Sequence, residues 1–153
     1  MALDLQSGHV YFSDKAGKNI LRAGLEMPRG QTAAERTDVE ELVVLPGLAM
    51  PVDLTIDEEN RTLYWGDRLA GTITRAGLDV PAGETPATRT DLETELGRLD
   101  EPIGLSLDVP NDRLYSGELG YGVSEASLDG EDPRRVCRAT GVTGVTLVHL
   151  PVQ

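Results

Sequence analysis

This 153-residue chain has one cysteine, two histidines, one tryptophan and one phenylalanine. The lone Cys137 forbids an intrachain disulfide, which excludes the class of small secreted domains stapled by such bonds. No His or Lys stands beside it in sequence, so it reads as a small residue facing a strand. His9 and His149 are too few to suggest a His-based triad, and with one Cys they make a zinc site weak. No metal and no cofactor are therefore expected. No Gly-x-Ser-x-Gly elbow, His-Glu-x-x-His, Cys-x-x-Cys or Walker loop occurs. No run of about 18 apolar residues exists, so no membrane partner is expected. No signal peptide opens the chain at Met1, and the simplest expectation is a cytoplasmic protein. Basic residues are also scarce: 14 Lys and Arg face 26 Asp and Glu, a net charge of −12. Such a surface repels phosphate backbones, which argues against nucleic acid.

What the chain does have is itself, three times. Asp4 to Asp14, Asp57 to Asp67 and Asp108 to Glu118 align, with a Tyr seven residues and an acid ten residues after each leading Asp. The leading Asp residues are spaced by 53 and then 51 positions. The register continues through Ile20 to Glu26, Ile73 to Asp79 and Val123 to Asp129. A period of this size marks an array of supersecondary units.

Each copy offers four extended runs. The first is seen in Val52 to Ile56 and Ile103 to Leu107, where apolar residues alternate with small or polar ones, the period of a strand. A turn of Asp, Asn, Gly or Pro follows. The second run, Val10-Tyr11-Phe12, Leu63-Tyr64-Trp65 and Leu114-Tyr115-Ser116, carries the β-branched and aromatic residues that favour a pleated surface. The third lies near residues 20–25, 73–78 and 123–128. The fourth is Glu41 to Leu45 in the first copy, Arg135 to Arg138 in the third, and weak around Leu92 to Leu99 in the second. Insertions at Met27 to Asp38 and Val80 to Asp91 read as rim excursions. A short helical turn is conceivable at Thr90 to Glu93, which has capping-box character.

Four antiparallel strands in a unit of this length is the blade of a β-propeller. Tyr11-Phe12-Ser13-Asp14, Tyr64-Trp65-Gly66-Asp67 and Tyr115-Ser116-Gly117-Glu118 each resemble the Tyr-Trp-Thr-Asp motif of the low-density-lipoprotein receptor class B (YWTD-type) repeat. The resemblance covers nearly the whole chain, although no copy keeps all four letters. It implies an all-β fold: three four-stranded blades at about 1–50, 51–101 and 102–140, then a closing strand at 141–153. Propellers of this family close with six blades, so residues 1–153 make half a ring. Either two copies associate head to tail or the chain is half of something longer; the homodimer is the preferred expectation. The termini fit it. The first copy has only Met1-Ala2-Leu3 where the others have a full first run. Val142 to Val148 aligns with Pro102 to Asp108, as a strand that pairs with a partner's first blade or simply lies at an edge.

Tyr11, Tyr64 and Tyr115 are expected to pack between sheets. Trp65 belongs to the same structural motif. Asp14, Asp67 and Glu118 end the second strands, where carboxylates accept backbone N–H groups of the next loop. The resemblance places ligands on the face around the channel. Asp53 is the sharpest departure there, standing where the third copy has Gly104. It binds a ligand, acts as a base or lines a hydrated channel; a buried carboxylate must be paired or wet. Arg68, Tyr121, Met50 and Lys18 are the next binding candidates. Two functions stay open. One is a recognition module for a protein or small-molecule ligand. The other is a small-molecule enzyme of cyclase, lyase or lactonase type, natural-product biosynthesis included, using the funnel of the closed ring without a nucleophile.

Overall fold

The computed structural model describes residues 1–148. His149 and the end of the proposed closing strand lie outside them. Twelve strands form three sheets. The first holds β1 (Ala2–Asp4), β2 (His9–Asp14), β3 (Asn19–Gly24) and β4 (Glu40–Val44). The second holds β5 (Pro51–Asp57), β6 (Thr62–Asp67), β7 (Thr72–Gly77) and β8 (Glu93–Leu96). The third holds β9 (Pro102–Asp108), β10 (Arg113–Glu118), β11 (Gly122–Ala126) and β12 (Arg134–Arg138). Strands follow chain order across each sheet and every neighbour is antiparallel. The expected four-stranded units are present in all three copies.

The repeated leading acids explain the first turn of each unit. Asp4 accepts the Ser7 N–H at 3.0 Å and Asp57 accepts the Asn60 N–H at 3.0 Å. Asp108 accepts the Asn111 side-chain amide at 2.9 and 3.0 Å. These Asx-type turns reverse the chain between the first and second strands. Asp4 also receives Arg61 from the second sheet. Burial opposes its ionisation, but the bonds from Ser7 and Arg61 prevail and hold its carboxyl at about 2.

Among the described residues the one helical element is a 3₁₀ turn at Val109–Asn111. The capping-box residues form no helix. The Thr90 N–H and hydroxyl both bond Glu84, at 2.8 Å each, and the chain enters β8 at Glu93. Glu84 takes the donors that a helix start would have used, and cross-strand pairing of Glu93 with Arg75 decides the conformation.

Two apolar layers hold the sheets face to face. Tyr11, Ile20, Leu42, Leu54, Leu63 and Trp65 are among the residues buried between the first and second sheets. Tyr64, Ile73, Leu96, Leu105 and Leu114 fill the space between the second and third. Polar latches cross the same seams. Arg89, with its side chain fully buried, bonds Asp91 and the Gly77 carbonyl in its own blade, then reaches the Leu42 carbonyl of the first blade at 2.8 Å. Arg22 reaches Asp79 at 2.7 Å. A buried guanidinium needs such partners, so each latch also fixes the angle between sheets.

The two outer faces of this array are open. Leu25 on the first blade is 42% exposed, whereas its counterpart Leu78 is 1% exposed beneath the first blade. Val136 on β12 is 50% exposed, whereas its counterpart Leu42 is 2% exposed. Residues 139–148 carry no strand ladder but run along β9. A Cβ on Gly104 would stand 2.7 Å from the Gly144 Cα and 2.8 Å from the Val145 nitrogen. Only glycine permits this approach. The tail thus lies beside β9 much as β9 lies beside β5.

Candidate functional site

The inner strands β1, β5 and β9 and the tail line a half-channel of about 560 Å³ that contains Asp53, Leu54, Thr55, Leu105, Ser106 and Thr146. Asp53 sits in a bulge of β5, where the ladder skips from the Pro51–Asp67 pair to the Leu54–Trp65 pair. Its carboxylate accepts the Leu105 N–H of the third blade at 3.0 Å and lies 3.8 Å from the Met1 amine. Asp53 therefore ties adjacent inner strands while its side chain remains 37% exposed to the channel.

A second cavity opens over Trp65, at the seam of the first and second blades. It measures about 540 Å³ and is lined mainly by Leu45, Leu48, Ala49, Trp65, Leu69 and Leu92, with Asp67 and three threonines, Thr72, Thr74 and Thr94. The Trp65 ring is buried at 1% exposure, whereas Leu48 at the mouth is 83% exposed. Asp67 organises the mouth. It accepts the N–H groups of Leu69, Ala70 and Met50 at 2.9–3.1 Å, which pins two loops to one carboxylate. Met50 returns the tie, since its carbonyl accepts the Arg68 N–H at 3.0 Å. Arg68 itself pairs with Glu101 at 2.7 Å.

The sequence candidates do not form one cluster. Met50 and Arg68 meet beside Asp67, which lines the Trp65 cavity, but neither of them lines it. Lys18 stands on the first blade, where its ammonium bonds the Gly47 carbonyl at 2.7 Å. Tyr121 is on the third blade, with the Arg135 guanidinium stacked 3.9 Å above its ring. Asp53 faces the half-channel. Of the three motif acids, Asp14 takes the Ala16 and Gly17 N–H groups at 2.8 and 3.0 Å, as Asp67 does in its loop. Glu118 departs from this. It is fully buried and accepts the Asp100 N–H at 2.6 Å, the Ser124 hydroxyl and the Arg135 guanidinium. The extra methylene carries its carboxylate past its own loop to the seam. Of the motif aromatics, Tyr11, Tyr64 and Trp65 are buried and Tyr115 is half-buried.

Sequence reading missed the cavity itself. It treats Trp65 as packing and places Leu45 in no site. The available signal was the replacement series Phe12, Trp65, Ser116, which shows that one position in three carries the widest ring.

The His9–Ser7–Asp4 string is a turn and not a triad. His9 Nδ1 meets the Ser7 hydroxyl at 2.9 Å, and Ser7 bonds Asp4. Here the serine donates to the acid and the histidine contacts only serine, so the base cannot take the serine proton as a triad requires. The same turn in the other copies uses Asn60 and Asn111, which marks the string as a turn. Among the described residues no group of three or more His, Cys, Asp or Glu could hold a metal ion.

No family model matches the chain. It is 31% identical, over 84% of its length, to the 3-hydroxyacyl-CoA dehydrogenase-like protein LAM1 of Cochliobolus heterostrophus, covering 29% of that protein. It is 40% identical over half its length to Nidogen-2 of Mus musculus, covering 5% of it. It is 37% identical over 75% of its length to protein cueball of Drosophila willistoni, covering 17% of it. The chain thus spans less than a third of the length of these curated relatives. Its fold is similar to a chain in the crystal structure of a nidogen/laminin complex, with a TM-score of 0.61 and 23% identity, over 82% of this chain and 43% of that one. The three sheets are consecutive blades of a β-propeller.

Proposed function

We propose that this chain is a recognition module: three YWTD-type blades that a second copy completes to six, with a top face that binds a protein or peptide. The observation that carries the reading is the apolar cavity over Trp65, whose one charged lining residue is Asp67, on the face where loops from two blades meet. An apolar socket with a single carboxylate and a few threonines in its wall suits an anchoring side chain of a peptide. The likeness to nidogen supports the reading, since the similar solved structure is a complex of nidogen with laminin. The dehydrogenase name of the fungal relative belongs to a protein of which this chain matches 29%. A dinucleotide cradle needs a strand-to-helix turn, and the described residues form no α-helix. A funnel enzyme gains no catalytic arrangement from the described residues, so that alternative is not carried further.

The test is selection from a displayed random-peptide library, followed by titration of the enriched peptides. Peptides with one large apolar residue are expected. Their affinity should fall at least about tenfold with Leu69→Glu, which places a charge in the mouth of the socket. Peptides that bind the variant as tightly as the wild type would remove the cavity from the function.

A further inference from the structure

We infer that the two open faces of the array are the two halves of one seam, and that Arg36 of one copy latches onto β12 of another, covering Val136 and Cys137. The inference rests on the reading of a ring completed by a second copy, and goes beyond it by naming the faces and residues that meet.

The internal seam between the first and second blades supplies the pattern. There Arg89 folds onto Asp91 and the Gly77 carbonyl, and its remaining Nη1 crosses to the Leu42 carbonyl. Leu42 and Val43 lie beneath it at 2% and 0% exposure. On the open face of the first blade, Arg36 adopts the same fold-back. It bonds Asp38 and the Gly24 carbonyl, each at 2.7 Å. Among the described residues it makes no crossing bond. On the open face of the third blade, Val136 and Cys137 occupy the places of Leu42 and Val43: Val123 pairs with Cys137 as Ile20 pairs with Val43. Val136 is 50% exposed and Cys137 is exposed. One face presents the arginine without its carbonyl, and the other presents the carbonyl strand without its arginine.

Charge agrees with this mating. At the internal seam Arg22 of β3 reaches Asp79. The counterpart of Asp79 on the open first blade is Glu26, and the counterpart of Arg22 on the third blade is Glu125. Those two acids would repel. Arg134 resolves the conflict: it bonds Glu125 at 2.5 Å with its side chain still 73% exposed, placing positive charge on the face that would meet Glu26.

The tail supplies the rest. Gly144 and Val145 stand beside Gly104 in the way that Leu105 stands beside Asp53. By alignment, residues 142–145 match the part of the first strand that β1 lacks. Residues 146–148 match Ala2–Asp4, so they must turn away when a second copy's β1 takes those places. Joined head to tail, two copies make two identical seams about one two-fold axis, and the ring closes.

Cys137 is the only thiol and reports the seam directly. The experiment combines sedimentation of the 153-residue chain with thiol modification of Cys137 across a concentration series, in the wild type, Arg36→Ala, Arg36→Lys and the distant control Glu59→Ala. The expected result is a dimer in which Cys137 modification slows as dimer forms. Arg36→Ala and Arg36→Lys should raise the dissociation constant at least about tenfold, the loss expected for a charge-assisted hydrogen bond, with Glu59→Ala unchanged. A dimer whose Cys137 reacts at the monomer rate would overturn this seam and leave the two-copy ring standing. A folded monomer at every concentration, with Cys137 freely reactive, would overturn both. If the Arg36 variants do not fold, the wild-type thiol series still decides.

Discussion

The second and third blades share one backbone pattern and fill the same inter-blade position with opposite chemistry. In the second, Trp65, Thr74 and Thr94 face an open apolar cavity. In the third, the corresponding residues are Ser116, Ser124 and Arg135, and the Arg135 guanidinium narrows the space to about 230 Å³ while bonding Glu118 and Ser124. The outer ion pair is reversed as well. Arg75 on β7 meets Glu93 on β8, whereas Glu125 on β11 meets Arg134 on β12. The ladder is indifferent to these exchanges, because backbone hydrogen bonds hold the blade. What the exchanges decide is how wide and how apolar the opening at a seam becomes.

The largest break in this comparison comes from Trp65→Ala. Its ring is buried at 1% exposure and contributes to the layer that holds two blades together. Truncation should cost about 3–5 kcal/mol, read as a fall in the denaturation midpoint. A loss below about 1 kcal/mol would mean that the two blades do not depend on that layer. Arg135→Ala should cost about 2 kcal/mol. The partly exposed arginine leaves, and Glu118 keeps only the Asp100 N–H and Ser124. Glu118→Gln in that background should recover part of the loss by removing the unpaired charge, which a thermal melt of the double variant would register. Ser116→Ala should do least. Its hydroxyl is buried with no hydrogen-bond partner among the described residues, so removal should change stability by under about 1 kcal/mol. A large loss there would reveal a partner for that hydroxyl.

The strands were legible in sequence because every unit repeats its turn acids and its alternation. The runs around Leu63-Tyr64-Trp65 and Leu114-Tyr115-Ser116 became β6 and β10. Even the weak fourth run of the second copy became β8, held by pairing with β7. The capping-box reading of Thr90 failed because Glu84, six residues away, competes for the same donors. The candidate site was legible only in pieces. Arg68 and Met50 meet beside Asp67 at the edge of the second blade, while Lys18 and Tyr121 stand on other blades. Nothing local in Leu45 or Leu69 announces that they would line one cavity.

The chain by itself determined the period, the turns, the alternation and the charge, since each depends on neighbours a few residues apart. Tertiary structure alone decided that Arg89 would cross to Leu42, that Glu118 would leave its own loop for Arg135, and that Gly104 would admit the tail. Those outcomes join residues some 17 to 47 positions apart, and they exist only once sheets face one another and buried charges must find partners across the gap.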